Sequence, residues 1–267
     1  MTDQPAGSAS PVPSEQARST LTATGNLRVG VVYAPESSTF FVTRQPDGMP
    51  EGVTVTIGHE LASALGTPVS FECFPNSGQL TDALEQRLVD VAFMPVDEER
   101  SRRVAFGPAY FVIESTALVR GESSFVRVAD LNVPGVKVAG IANTTTIRSA
   151  ARVLPAAEMV PIAAVSDALQ ALVDGHVNAL VLSRDVLLSY QRRIPGSRLL
   201  EDRLHATGIA VAVARGTPAA LEFVSAFMEY EKANGAVRRA FDLFGFHGEP
   251  VAPAEFANGS KNGTDRA

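Results

Sequence analysis

Two stretches of this chain share a wording. DALEQRLVDVAF starts at Asp82 and DALQALVDGHVNALVL at Asp167. Each reads as a helix that feeds a buried strand through a short acidic turn. They stand at the same stage of two successive β-α-β-α-β runs. In the first run, LRVGVV (27–32) is an apolar, β-branched strand. Thr56 caps a helix over 57–65 that Gly66 stops. VSFECF (69–74) is a strand, a helix opens at Ser77 and runs to 87, and a buried strand follows at 89–94. In the second run, VKVAGI (136–141) is a strand, 145–154 a helix and 158–162 a short strand. Ser166 caps a helix to 174 that Gly175 ends, and VNALVL (177–182) is again a buried strand. Strands alternating with helices demand parallel sheets with helices on their faces. The repetition makes this an α/β chain of two Rossmann-like lobes built on one plan.

The remaining segments connect the lobes. YFVIESTALVR (110–120) is long and extended enough to cross from one lobe to the other, and HATGIAVAVAR (205–215), with Gly208 as a permissive point, can return. Thr217-Pro218 opens a helix to about 232, with proline in its first turn, and 236–244 forms a last one. The expected division is lobe 1 at 26–116 plus 212–248 and lobe 2 at 117–211. Two lobes joined by two crossings leave a cleft where ligands bind and which closes by a hinge. Residues 1–25 and 249–267 are Ser-, Thr-, Ala-, Pro- and Gly-rich without apolar period, and both are expected to be disordered. The first segment carries one base, Arg18, and no apolar h-region, so as written it is not a secretory signal.

Composition narrows the function classes. The 267 residues are 45% apolar, enough for a real core, and carry a net charge of −6 from 29 acids and 23 bases. An acidic balance argues against a nucleic-acid partner, which needs a basic face. Cys73 stands alone, so neither an internal disulfide nor a thiolate zinc site can form. No apolar run approaches the roughly 18 residues of a membrane span. Catalytic motifs are missing as well. His59-Glu60 begins like HExxH, but residue 63 is serine. The four histidines are scattered, and no phosphate loop, dinucleotide loop or nucleophile elbow is present. Cys73 reads as a small hydrophobe in an apolar strand. Asp90 and Asp97 flank a strand end and read as solvated loop acids. No metal or cofactor is expected.

Three features suit binding instead. Glu98-Glu99-Arg100-Ser101-Arg102-Arg103 follows the strand at 89–94. It reads either as a solvated charge run or as a site that puts one arginine at the carboxyl end of a parallel strand, where its fork can grip a carboxylate. Asn143-Thr144-Thr145-Thr146 opens the helix at 145. It reads either as an ordinary N-cap or as an anion site of hydroxyls and N–H groups. Tyr33, Phe40 and Phe41 can wall a small ligand or pack in the core.

In this order and spacing, LRVGVV, GVTVTIGHEL, VDVAFMPVDEERSRRVAFGPAY, VADLNVPGVKVAGIANTTT, ALQALVDGHVNALVLSRD and TGIAVAVARGTPAALEFVSAFM resemble the extracellular solute-binding proteins of family 3, the amino-acid-type binding components of ABC transporters. The resemblance implies a type II periplasmic-binding-protein fold, a ligand buried between two hinged lobes, and a periplasmic, monomeric protein that serves an ABC permease. The sequence itself leaves a cytoplasmic place open. By position, Arg100 is implied to grip a ligand carboxylate, with Thr144 and Thr145 as lobe-two partners. Met94, Pro95 and Val96 are implied to touch ligand through backbone groups, and Tyr33 and Phe40 to form an aromatic wall.

Three departures bear on the ligand. Amino-acid binders of the family often carry an acid at Ser183 to pair with an ammonium; serine has no charge and Arg184 has the wrong sign. A small organic acid therefore fits better than an α-amino acid. The usual glycine of the helix-entry triplet is Asn143, which needs a tolerated turn conformation. Glu114, an acid in an apolar crossing strand, is either a hinge hydrogen-bonding group or a ligand contact. The leading expectation is a non-catalytic binder of a small carboxylate. The alternatives are an enzyme on the same fold, resembling cyclohexadienyl dehydratase with Glu114 as its acid, and a ligand-sensing protein.

Overall fold

A computed structural model of the chain describes residues 10–33, 42–44 and 48–253. It separates into two compact units. The first takes the chain to Val112 and resumes at Gly208, and the second spans Ile113–Thr207. The crossings thus fall at 112/113 and 207/208 rather than at 116/117 and 211/212. The 17-residue strand β6 (Val104–Arg120) leads out of the first unit, and β11 (His205–Ala214) returns to it.

In the first unit the sheet runs β4-β1-β5-β11. β1 (Leu27–Val32) lies between β4 (Val69–Phe74) and β5 (Val91–Pro95), parallel to both, and β11 is antiparallel to β5. A short ribbon of β2 (Thr43–Arg44) and β3 (Pro50–Glu51) stands apart. α2 (Val53–Leu65) and α3 (Ser77–Glu85) both pack on the sheet. Leu80 and Leu84 of α3 meet Ala92 and Met94 of β5, Phe106 of β6 and Ala210 of β11 in one apolar cluster. α8 (Pro218–Ala233) and α9 (Ala236–Leu243) pack against each other, and α9 against α2.

In the second unit β7 (Lys137–Ile141) is the central strand, parallel to both β8 (Glu158–Ile162) and β9 (Ala179–Ser183). The second half of β6 runs antiparallel to β9, and β10 (Ser197–Leu199) pairs with the outer edge of β6. α5 (Thr145–Val153) covers one face through Ala150, beside Leu154 just past its end. α6 (Val165–Val173) and α7 (Arg184–Gln191) contribute Ala168, Leu172 and Leu187 to a separate cluster. Each unit therefore places its first strand in the middle, its second on one side, its third on the other, and an antiparallel strand beyond the third. The repeat seen in the wording is a repeat of topology.

Expected boundaries shift where capping decides them. α2 starts at Val53, after a Gly52 cap, rather than at Ile57, and ends as expected on a left-handed Gly66. Residue 165, not 167, opens α6, because Ala164 rather than Ser166 holds the cap position.

Two expectations of disorder fail where the segments are described, residues 1–9 and 254–267 lying outside the described residues. Residues Glu15–Leu21 form α1, capped by the Ser14 hydroxyl, which accepts from the Ala17 N–H at 3.1 Å. Ala17 and Leu21 are buried, α1 packs on α8, and Arg18 Nη1 donates to the Leu65 carbonyl at the end of α2. Only two apolar side chains dock, too few to make a period in the sequence. At the other end, Val251 bridges to Phe111, and the Ala252 N–H donates to the Tyr110 carbonyl at 2.9 Å. The tail thus begins as an added edge on β6 rather than as free chain.

Among the described residues no helix is long and apolar enough to cross a membrane. If α1 belongs to the fold, Leu21→Ala will cost about 2–5 kcal/mol in urea unfolding, as other buried leucines do. A loss below 0.5 kcal/mol, the range of surface changes, would show that α1 is a dispensable appendage.

Candidate functional site

Parallel strands in the order second-first-third leave an open crevice at the carboxyl ends of the first and third, because their connections depart to opposite faces. In the first unit those ends are β1 and β5. Tyr33 follows β1, half-buried, its N–H donating to the Phe74 carbonyl at 2.8 Å. Phe40 and Phe41 lie outside the described residues.

The charge run after β5 divides. Asp97 caps the single-turn helix α4 (Glu98–Ser101) by accepting the Arg100 N–H at 2.8 Å. One turn later Arg100 folds back under the strand end, its side chain only 3% exposed. Its Nη1 donates to the Pro95 carbonyl at 3.0 Å and lies 3.6 Å from Asp97 Oδ2. Glu98 and Arg102 pair in solvent, and Arg103 reaches back to Asp82 and Glu85 on α3. One arginine of the run is thus buried at the strand end and the rest are solvated. Asp97 is not a solvated loop acid either, being buried with the guanidinium, and the Asp90 side chain, 5% exposed, pairs with Arg28 at 2.6 Å. The Asp90 partnership holds the Arg28 guanidinium above its usual range.

Of the neighbouring residues, Met94 is fully buried, and its Sδ accepts from Thr81 Oγ1 at 3.3 Å. Val96 packs half-buried on the same apolar cluster, and its N–H donates to the Gly208 carbonyl at 2.8 Å. Pro95 offers its carbonyl to Arg100. Pro95 and Val96 thus have backbone groups engaged at the edge, while Met94 serves the core.

In the second unit the corresponding ends are β7 and β9. Gly140 lets α5 close on the sheet, since a Cβ there would stand 2.6 Å from Ile147 Cδ1. Asn143 takes the left-handed conformation (φ 62°) that its short polar side chain tolerates, so the missing glycine is accommodated. Thr144 caps α5. Its hydroxyl donates to the Ile141 carbonyl at 2.7 Å and accepts from the Ile147 N–H at 3.4 Å. That hydroxyl is committed in both directions. Thr145 is buried. Thr146 Oγ1 lies 3.5 Å from the hydroxyl of Ser115, which faces Ser183 across the β6–β9 ladder.

Ser183 caps α7 by position, but its hydroxyl makes no capping bond. Alternation along β6 turns Glu114 away from the α5 face that Ser115 meets. Its carboxylate instead lies between Arg203 at 3.5 Å and Arg184 at 3.9 Å. His205, half-buried, is held below its ordinary value, first by burial and then by the charges of Arg152 and Arg203.

Sequence reasoning missed the anchoring of Arg100 by Asp97, although an aspartate three residues ahead of it is an N-cap signature. It also missed Arg203, which nothing local marks. Among the described residues no three His, Cys, Asp or Glu side chains gather as a metal site. Cys73 is half-buried rather than buried, because β4 is an edge strand. The ring of His59 rests on Phe71 at 5.0 Å.

Residues 28–245 match the bacterial extracellular solute-binding proteins, family 3. A glutamine-binding protein of Geobacillus stearothermophilus is 25% identical over 204 residues, covering 72% of this chain and 74% of that protein. The solved structure of an ancestral arginine-binding protein bound to arginine is similar at 26% identity and a TM-score of 0.69, over 83% of this chain and 98% of the other. An ancestral amino-acid-binding protein, a precursor of cyclohexadienyl dehydratase, shares the fold with a TM-score of 0.70 at 24% identity, over 85% and 98%.

The Asp97–Arg100 pairing can be separated from the cap it also makes. Asp97→Asn keeps a good capping side chain and removes the charge, so we expect a loss of about 3 kcal/mol in urea unfolding. Asp97→Ala should lose about 1 kcal/mol more with the cap. Equal losses for the two variants would mean that the cap contributes nothing.

Proposed function

The chain belongs to the bacterial extracellular solute-binding proteins of family 3, and within that family we propose that it is a non-catalytic receptor for a small carboxylate-bearing molecule. The fold is that of type II periplasmic binding proteins. The observation that carries the ligand reading is Arg100. A guanidinium buried at the carboxyl end of β5, held in place by Asp97 and the Pro95 carbonyl, is preorganised to take a carboxylate through parallel hydrogen bonds. In the second unit, Asn143, Thr144 and Thr145 at the start of α5 can offer an anion backbone N–H groups more than the committed Thr144 hydroxyl. Tyr33, just beyond β1, lines the aromatic side of the ligand. Release to an ABC permease, a periplasmic place and a monomeric state follow from the same reading.

Relatives of this chain bind glutamine and arginine. Ser183 speaks against an α-amino acid here, because a buried ammonium without a carboxylate partner is costly. A small organic acid is the better fit. The enzyme reading draws on the likeness to a dehydratase precursor. Its acid, Glu114, is occupied by ion pairs with two arginines, which favours the binding reading.

The test is a thermal-shift panel of amino acids, organic acids and aromatic acids. A cognate ligand at a hundredfold excess over its Kd stabilises by about 2.7 kcal/mol. Arg100→Ala should abolish that shift, and Arg100→Lys, which keeps the charge but not the fork, should weaken binding at least tenfold. A folded Arg100→Lys protein with unchanged affinity would rule out the carboxylate grip. Turnover of prephenate or arogenate would favour the enzyme. Ser183→Asp should raise affinity for α-amino acids at least severalfold in calorimetry; no gain for any of them would mean that residue 183 does not meet the ligand ammonium.

A further inference from the structure

The chain runs on past the family match, which ends at residue 245, and the continuation returns to the sheet. α9 closes in a left-handed turn at Gly245 (φ 82°). There the Gly245 N–H donates to the Asp242 carbonyl at 3.1 Å and the Phe246 N–H to the Phe241 carbonyl at 3.0 Å. These two bonds end the helix and reverse the chain. Arg238, on α9, ties the reversed segment down. Its Nη2 donates to the Phe246 carbonyl at 2.5 Å and stands 3.0 Å from Asp242 Oδ1, and its Nη1 donates to the Glu249 carbonyl. The guanidinium also lies over the Phe241 ring at 5.0 Å. A planar fork can hold two carbonyls and an acid at once, which a single ammonium cannot.

Beyond Glu249 the segment meets β6. Val251 bridges antiparallel to Phe111, and the Ala252 N–H donates to the Tyr110 carbonyl at 2.9 Å. Ala252 is buried and joins the apolar cluster of Leu80, Met94 and Phe106. Phe111 meets Phe241 edge to face at 5.4 Å, and Lys232 Nζ of α8 donates to the Ala109 carbonyl at 3.2 Å. Three successive residues, 109 to 111, are thus each held by α8, α9 or the tail, immediately before β6 leaves the first unit after Val112.

The bonds fall where the sheet is weakest. In the first unit β6 is the last strand, with β11 on one side. A last strand presents a row of unpaired backbone groups on its other side and opens more readily than an inner one. β11, the returning crossing, is flanked by β5 and β6 and has no such edge. A receptor that shuts by bending its crossings needs each of them anchored in its own unit.

Whatever solute is captured, we infer that residues 246–252 are a brace, positioned by Arg238, which roots the outgoing crossing in the first unit. Bending of β6 then begins at Val112, past the last braced residue, and the stretch up to Phe111 moves with the first unit.

Hydrogen exchange of the full chain, read by mass spectrometry, tests this with two variants that cut the brace at opposite ends. Arg238→Gln removes the fork, and Ala252→Pro removes the N–H on the Tyr110 carbonyl. In both, the amides of residues 109–114 are expected to exchange at least tenfold faster, together with those of 246–252, while β1 and β7 stay within twofold of their original rates. Arg238 is only half-buried, so its variant decides alone should Ala252→Pro fail to fold. Faster exchange confined to 246–252 would mean that the tail merely covers an edge. Equal acceleration in β1 and β6 would make it a general stabiliser. Either result, or no change at all, overturns the inference.

Discussion

A strand that lies inside a sheet with helices on its faces is covered on both sides, and no side chain within it can reach a solute. β1, β5, β7 and β9 are of this kind, with Val29, Val31, Ala92, Met94, Ala139 and Val181 all buried. Chemistry is therefore confined to the residues at and beyond the carboxyl end of each strand. This constraint explains why Met94 sits in the core with Thr81 against its sulfur while Pro95, one residue later, already presents a carbonyl to a guanidinium. It also explains why Ser183 and Asn143, at or just beyond the ends of β9 and β7, stand outside the core.

At those ends the two units use charge differently. The first buries an arginine and compensates it at once: Asp97 is both the cap of α4 and the counter-ion of Arg100. Such a group is rigid, because leaving a buried charge unpaired is costly. The second unit holds Arg184 and Arg203 partly exposed beside Glu114, where water screens them.

The departures from the family pattern are resolved by local conformation in one case and by charge in the other. Asn143 adopts the left-handed turn that glycine would have supplied, so the entry to α5 survives the change. Ser183 has no such substitute. The residue beside it points a guanidinium at Glu114.

The order of strands and helices was legible in the residues alone, because apolar period, caps and glycine stops are local signals. β1, β4 and β8 fall at their expected bounds, and the repeated wording at Asp82 and Asp167 marks a repeated topology. That Arg100 is buried while Glu98 and Arg102 of its charge run stay in solvent was decided only by the fold. Burial depends on the strand end above and on α4 turning back beneath it. α1 escaped the sequence because two buried residues make no period, and its stability comes from the surface of α8, far along the chain. Arg203 escaped for the same reason. It meets Glu114 only because the segment after β10 runs beside β6, where the Leu204 N–H donates to the Ser115 carbonyl. Sequence determines what each short segment prefers. Which distant charges end up sharing one carboxylate is decided by strand pairing, since that alone brings residues 114, 184 and 203 together.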